Sequence, residues 1–151
     1  WAVDMHWQIL IDQKLKGLKA IDALFDLTAI ICASRPQLMS EIVAFQAKAH
    51  KIIKMPPLTV ADKQLAFPHY QGIDTMVVED LTALLAINIQ QAIDAEELPT
   101  KSDVPTLIMS LAGIFFSVPI MFKHSSLVDI QTAYQQQLSV FRFGATHKYA
   151  T

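Results

Sequence analysis

The amino-acid sequence predicts an all-α fold, a bundle of about six helices within a single domain that spans residues 1–151. Length is the first observation, because a chain of 151 residues most simply forms one domain. Composition is the second, since 52% of the residues are apolar and can build a substantial core. The third is periodicity: apolar residues recur every three or four positions in long segments where Gly and Pro are scarce.

Charge and cysteine content exclude several classes of protein. The net charge of −2 leaves no basic excess to hold a phosphate backbone. The single cysteine, Cys32, excludes an intramolecular disulfide framework and fits a reducing compartment, so we expect a cytoplasmic location. The chain starts at Trp1 without a charged leader and a long apolar run. We therefore expect a fragment or a processed chain, and no signal peptide.

The first helical segment extends from about Asp4 to Ala33. Gly17 lies in its middle and lowers helix stability, so we expect a kink or break near Lys16 and two helices instead of one. The apolar stripe of this segment consists of Trp7, Leu10, Ile11, Leu18, Ile21, Phe25 and Cys32.

Another helix is predicted after a break at Arg35. Pro36 pushes Arg35 out of helical geometry and itself fits the first turn of a helix that reaches about Ile53. Residues 55–72 then contain three prolines and form the only long irregular stretch of the sequence. Connections of this length are uncommon unless they have a function.

The second half of the sequence predicts three further helices. The first runs from about Asp74 to Ala95. Ser102 is expected to cap the next one, in which Pro105 is tolerated because it lies in the first turn. The last helix runs from about Leu127 to Phe143, and Gly144 is placed to end it.

The segment from Val104 to Phe122 carries no charge and is long enough to suggest a transmembrane helix. Pro119 interrupts it, and no second comparable span exists. We therefore favour the central helix of a soluble bundle, buried by its own domain and by a partner, and expect no membrane association. One side of this helix is small and partly polar and consists of Thr106, Ser110, Gly113 and Ser117.

The sequence shows no catalytic constellation. The five histidines form no pair at helical spacing, and neither a phosphate-binding loop nor a nucleophile elbow is present. Asp22 and Asp26 stand four residues apart but are expected to be solvated surface, while Cys32 continues an apolar stripe and is expected to be a small core residue. We predict no catalytic residues, no metal and no cofactor.

Two polar residues lie inside apolar stripes, Thr28 and Asn88. A buried polar group needs a hydrogen-bond partner. One alternative is an internal bond to backbone or to another helix; the other is a ligand in an apolar pocket. We expect that ligand to be small, largely apolar and uncharged, since no Arg or Lys lies on the inward stripes. The predicted pocket is formed by Phe25, Thr28, Phe45, Tyr70, Leu84, Asn88 and Phe115.

The order of several short motifs resembles the ligand-binding and dimer-forming half of tetracycline-repressor-like (TetR) transcriptional regulators. The turn Glu96-Glu97-Leu98-Pro99, Asp103, the pair Ala112-Gly113 and the stop at Phe141 to Gly144 occur in the family's order, although Glu96 stands where glycine is usual. Upstream, the segment from Gly17 through Arg35 and Pro36 is similar to the family's first core helix and the break after it. Residues 67–73 resemble a region of γ-butyrolactone autoregulator receptors, with Ile73 replacing a tryptophan.

The resemblance implies a sensor without catalytic activity. The family's helix-turn-helix would lie before Trp1, so DNA would be bound only through a domain that this chain lacks. The effector would be a small apolar molecule. The alternatives that remain are a small helical cofactor-binding protein or enzyme, for instance with haem held by one histidine, and an interaction module without a ligand.

A homodimer is predicted through the last two helices, at about residues 102–122 and 127–143. Two helices from each copy would form a four-helix interface, and obligate interfaces of this kind bury ~2,000 Å² or more. Small residues on the uncharged helix would allow close approach, and the last helix would supply an apolar seam. The predicted interface residues are Ser110, Gly113, Ser117, Ile130, Tyr134, Leu138 and Phe141.

Overall fold

The computed structural model describes residues 15–37, 40, 41, 44 and 81–147, and no strand occurs among them. The all-α prediction is therefore confirmed for this part of the chain. The helices with defined bounds are α1 (Gly17–Ser34), α2 (Leu81–Asp94), α3 (Val104–Met121) and α4 (Leu127–His147). The predicted total of about six stays a prediction, because the further helices were expected at residues outside the described ones.

Helix α1 begins where a break was predicted. Lys16 is extended (φ −142°, ψ 163°), and Gly17 has φ +60°. At the other end Arg35 leaves helical geometry and donates its N–H to the carbonyl oxygen of Ile31 at 2.8 Å. The chain is helical again at Pro36, as expected for a proline in a first turn.

A left-handed residue ends α2. Glu96 has φ +58°, and the backbone N–H groups of Glu97 and Leu98 both donate to the carbonyl oxygen of Ala92, at 2.8 and 3.2 Å. Leu98 is only 2% exposed and packs into the core. This combination of a left-handed residue, returning hydrogen bonds and an apolar anchor is a common way to end a helix.

Asp103, not Ser102, caps α3. Its carboxylate accepts from the Thr106 backbone N–H at 3.5 Å and from the Thr106 hydroxyl at 2.7 Å. The Ser102 hydroxyl instead donates to the carbonyl oxygen of Pro99 at 2.7 Å. The sequence-based assignment was one residue too early, because the two oxygens of a carboxylate three residues before Thr106 satisfy both donors. Pro105 lies in the first turn, as predicted.

Helix α4 begins with a reciprocal cap and runs past its predicted end. Ser126 Oγ accepts from the Asp129 N–H at 3.2 Å, and Asp129 Oδ2 accepts from the Ser126 N–H at 3.3 Å. Gly144 does not end the helix, which continues to His147. The physical reason is that Ala145 is buried in the core, so packing holds the backbone helical across the glycine.

The four helices pack as a bundle in which α1 and α3 each lie mainly against α2 and α4 and touch one another only slightly. An aromatic cluster joins α1, α3 and α4. The Phe25 ring meets Tyr134 edge-on at a centroid distance of 5.0 Å and Phe115 at 5.9 Å. The largest fully buried side chains are Tyr134, Phe25, Ile21, Leu85, Ile89, Leu98, Leu111 and Ile130.

The Tyr134 hydroxyl replaces a hydrogen bond that α3 lacks. Pro119 lies inside α3 and has no N–H, so the carbonyl of Phe115, four residues earlier, loses its helical donor. Tyr134 Oη donates to this carbonyl oxygen at 2.9 Å. Burial, with a smaller contribution from Cys32, raises the pKa of Tyr134, so the hydroxyl stays protonated and available as a donor.

Tyr134→Phe is expected to lower the free energy of unfolding by about 1–3 kcal/mol, because it leaves a partly buried carbonyl without a partner. In a Pro119→Ala background the helix recovers its own N–H donor at position 119, so the same substitution is expected to have a smaller effect. Urea unfolding of the four proteins in this double-mutant cycle measures the difference. An equal loss in both backgrounds would show that the hydroxyl does not substitute for the missing bond.

Candidate functional site

The predicted pocket is described only in part. Phe45 and Tyr70 lie outside the described residues. The structure brings Phe25 and Phe115 together, with ring centroids 5.9 Å apart. Phe25 is 1% exposed and belongs to the core, where Phe115 packs against it. The pocket as a whole therefore stays a prediction, because two of its seven predicted residues lie outside this part.

Thr28 and Asn88 are both buried, and each donates a hydrogen bond within its own helix. Thr28 Oγ1 donates to the carbonyl oxygen of Leu24 at 2.7 Å, and Asn88 Nδ2 donates to that of Leu84 at 2.9 Å. The internal-bond alternative therefore accounts for both donors. In the described part of the chain the amide oxygen of Asn88 has no hydrogen-bond donor, although the residue is only 8% exposed.

A cavity of about 290 Å³ lies between α1 and α4, next to Phe25. The sequence did not predict a cavity at this place. Arg142 pairs with Asp22 across it. Burial, and then the neighbouring Asp22 carboxylate, raise the pKa of Asp26. The two carboxylates expected to be solvated surface thus differ in their partners: Asp22 forms an ion pair with α4, whereas Asp26 forms none in the described part of the chain and lies partly exposed at the edge of the cavity. The cavity is lined by Asp22, Phe25, Asp26, Tyr134, Gln135, Leu138, Ser139 and Arg142.

A second cavity, a groove of about 350 Å³, opens between α3 and α4. Among the described residues that line it, no side chain is charged, and most are aliphatic or aromatic. The groove runs beside the small-residue side of α3 that the sequence had indicated. It is lined by Thr106, Leu107, Ser110, Ile114, Gln137, Val140, Phe141, Gly144 and Ala145.

The outer side of α3 is open. Ser110, Gly113 and Ser117 are exposed, and a Cβ atom built on Gly113 would meet nothing within 4 Å. Large apolar side chains flank them, including Met109 at 76% and Ile120 at 49% exposure. We call this exposed side of the two helices the α3–α4 face and define it by Met109, Ser110, Gly113, Ser117, Ile120, Val140 and Phe143.

The apolar seam predicted on α4 faces its own chain. Ile130, Tyr134, Leu138 and Phe141 are 2%, 1%, 4% and 9% exposed and belong to the core. This corrects the prediction that they are presented to a partner, because side chains already covered by α1 and α3 have little surface left to bury.

The exposed apolar residues of α4 were missed. Val140 is 69% exposed and Phe143 is 65% exposed. Their three-residue spacing, on a different side of the helix from the buried stripe, was the signal that would have found them.

Two observations concern reactive or metal-binding groups. Cys32 is buried, as predicted, and burial raises the pKa of its thiol to about 11. His124 and His147 are exposed. Within the residues that the structure describes, no group of His, Cys, Asp and Glu side chains is placed to hold a metal ion.

Helix α3 is the one helix in this part of the chain that is long and apolar enough to cross a membrane, judged by length and composition. Only 22% of that segment is buried inside the chain. Most of this helix is therefore left uncovered in the part of the chain that the structure describes.

No protein-family model, curated protein or solved structure matches this chain.

Cys32 is expected to react very slowly with a thiol reagent in the folded protein. At pH 8 a pKa of about 11 instead of 9.0 reduces the thiolate fraction roughly 100-fold, and burial restricts access further. Labelling with an aromatic disulfide reagent, followed by absorbance with and without urea, measures this. Equal rates in the folded and the unfolded protein would contradict the burial of Cys32.

Proposed function

We propose that this chain is the effector-binding and dimerisation domain of a TetR-like transcriptional regulator of the cytoplasm. It senses a small, largely apolar molecule and passes the signal to a DNA-binding domain that precedes Trp1 in the parent protein. DNA is contacted only by that domain, and the chain itself performs no catalysis. The observation that carries this proposal is the uncharged, apolar and open α3–α4 face.

The α3–α4 face suits a second copy of the same chain. Helices of 18 and 21 residues are about 27 and 31 Å long, and side by side they offer a surface on the order of 30 by 20 Å. Its flat area of about 600 Å² is somewhat below the roughly 800 Å² per partner of a standard-size interface, before the relief of the side chains is added. None of the seven defining residues is charged, so the face can meet an identical copy across a two-fold axis without like-charge repulsion.

Gly113 lies between Met109 and Ile120 on this face, and the open space above it allows a partner helix to approach closely. The groove beside it supplies a recess for a partner side chain. Together these features favour a helix-on-helix contact in which small residues let two backbones pack and larger residues fill the gaps on either side.

The end of α2 adds support from the resemblance. The family usually has glycine where this chain has Glu96, and Glu96 adopts φ +58°. Glycine is favoured at such positions because it has no Cβ to resist the left-handed conformation. The backbone at this turn therefore has the conformation that the family's glycine accommodates, although the residue differs.

The proposed effector site lies between α1, the segment carrying Phe45, and α2. Asn88 brings a buried amide oxygen that has no donor in the described part of the chain, and Thr28 brings a hydroxyl oxygen that can accept a further bond. An apolar molecule with one or two hydrogen-bond donors would meet these needs while its remaining surface is covered by apolar walls.

Gly113→Leu is expected to weaken self-association at least tenfold, because the added side chain fills the space that a partner helix would occupy. The monomer is expected to stay folded, since nothing lies within 4 Å of the new Cβ atom and leucine favours the helix more than glycine does. Lys19→Leu, which adds an exposed leucine to α1, is the matched control. Sedimentation velocity over a range of micromolar concentrations measures association.

A monomeric wild-type chain at these concentrations would contradict the dimer, as would a Gly113→Leu variant that associates like the wild type. Flotation of the wild-type chain with phosphatidylcholine vesicles would assign the face to a membrane instead. Absorption of the purified protein near the haem Soret band would favour the cofactor-binding alternative.

Asn88→Leu is expected to weaken binding of an uncharged apolar probe by ~1–3 kcal/mol, through loss of a buried hydrogen bond, while the dimer stays intact. N-phenylnaphthylamine, which carries one N–H donor and fluoresces in apolar surroundings, is a suitable probe for titration. Gln90→Leu, at an exposed position of the same helix, is the control. Full affinity in the Asn88→Leu protein would remove Asn88 from the site.

A further inference from the structure

We propose that the contact of Gly17 with Glu97 is a conformational switch. In the state seen here, Glu97 holds the N-terminus of α1 and keeps the chain broken at Lys16; when this contact opens, α1 continues through Lys16 and Gly17 as one uninterrupted helix. The proposal concerns the fold of the chain and does not depend on the regulatory function proposed above.

The N-terminus of α1 is capped by residues from the end of α2. Glu97 Oε2 accepts from the Leu18 N–H at 2.9 Å, and Gln91 Oε1 accepts from the Gly17 N–H at 3.3 Å. The N-cap residue, Lys16, supplies no side-chain hydrogen bond of its own. The first N–H groups of a helix need acceptors, and a carboxylate is favoured there by the helix dipole. The local sequence leaves this role to a distant part of the chain.

The broken state depends on glycine at position 17 for two separate reasons. Its φ of +60° is a conformation that residues with a side chain rarely adopt. A Cβ atom there would also lie 2.5 Å from Glu97 Oε2 and 3.3 Å from the Cα atom of Ala92. Any larger residue therefore strains the backbone and displaces the capping carboxylate at the same time.

The amino-acid sequence also suits the uninterrupted state. On a continuous helix the apolar residues on both sides of Gly17 fall within an arc of about 100°, which is the width of one core-facing stripe. Lysine is a good helix former, and glycine is tolerated within a helix at a modest loss of stability. The residues in this arc are Trp7, Leu10, Ile11, Leu18, Ile21, Phe25 and Cys32.

The two states compete for the same donors. In a continuous helix the N–H groups of Gly17 and Leu18 bond to the carbonyl oxygens four residues earlier, those of Gln13 and Lys14. In the broken state the same two N–H groups bond to Gln91 and Glu97. Each N–H group has one acceptor in the broken state and a different one in the continuous helix. Because it cannot bond to both at once, the two arrangements exclude each other, and neither leaves these donors unpaired.

The backbone that carries the cap is held at the C-terminal end of α2. The Glu97 N–H donates to the carbonyl oxygen of Ala92 at 2.8 Å, and the next residue, Leu98, is anchored in the core. The Glu97 carboxylate therefore moves with the C-terminal turn of α2. A displacement of this turn relative to α1 withdraws the acceptor from Leu18 and releases the switch.

Backbone chemical shifts of Lys16 and Gly17, measured by NMR on the full chain, test this proposal. The wild type is expected to show an extended Lys16 and a non-helical Gly17. Glu97→Ala removes the acceptor and is expected to move the Cα and carbonyl shifts of both residues toward helical values. Glu97→Gln keeps an acceptor oxygen and is expected to give a smaller change. Glu96→Gln removes a charge one residue away and is expected to leave both residues unchanged.

Gly17→Ala supplies an independent measurement, because it acts on the backbone at position 17 while Glu97 is retained. It is expected to give helical shifts at Lys16 and at the new alanine, and so remains informative if Glu97→Ala does not fold. Non-helical shifts at position 16 in folded Gly17→Ala and Glu97→Ala proteins would overturn the switch. So would a wild type in which Lys16 is already fully helical.

Discussion

The hydrogen bond from Tyr134 to the carbonyl of Phe115 is the interaction on which the arrangement of α3 and α4 depends. Pro119 removes the N–H that would otherwise bond this carbonyl, and an unpaired carbonyl inside a bundle is unfavourable. The tyrosine that supplies the missing donor is itself 1% exposed, with its ring edge-on to Phe25. One residue of α4 therefore completes α3 and packs against α1, which sets the rotation of α3 and α4 relative to the core.

This rotation divides the uncharged helix α3 into two sides with different roles. Leu107, Leu111 and Val118 point into the core, whereas Met109 and Ile120 stay exposed. An uncharged helix that also carries large apolar side chains on its outer side is best covered on both sides, and its own chain covers only part of it. The proposed second copy would cover the rest. Dimerisation would then contribute to the stability of the domain, because it would bury the apolar side chains that the chain leaves exposed.

The burial of a site residue was predictable where it follows from the residue's position within an apolar stripe. It was unpredictable which neighbour covers that stripe, because this depends on how each helix is rotated about its own axis. Burial of Thr28 and Asn88 was expected from their positions within apolar stripes, and both are buried. The stripe of α4 that contains Ile130 was assigned to a partner but faces the chain's own core. An apolar stripe indicates that its side chains will be buried but does not indicate whether the same chain or a partner buries them. The reason is that periodicity carries no information about which helix packs against the stripe.

The sequence by itself determined the helical class, the break at Lys16 and the restart at Pro36, because glycine and proline act on the backbone within one or two residues. Tertiary structure decided that α4 passes through Gly144, since burial of Ala145 outweighs the weak tendency of glycine to end a helix. It also decided that Glu97 caps a helix 79 residues away along the chain. Such contacts depend on how helices meet in space, which no local pattern of residues specifies.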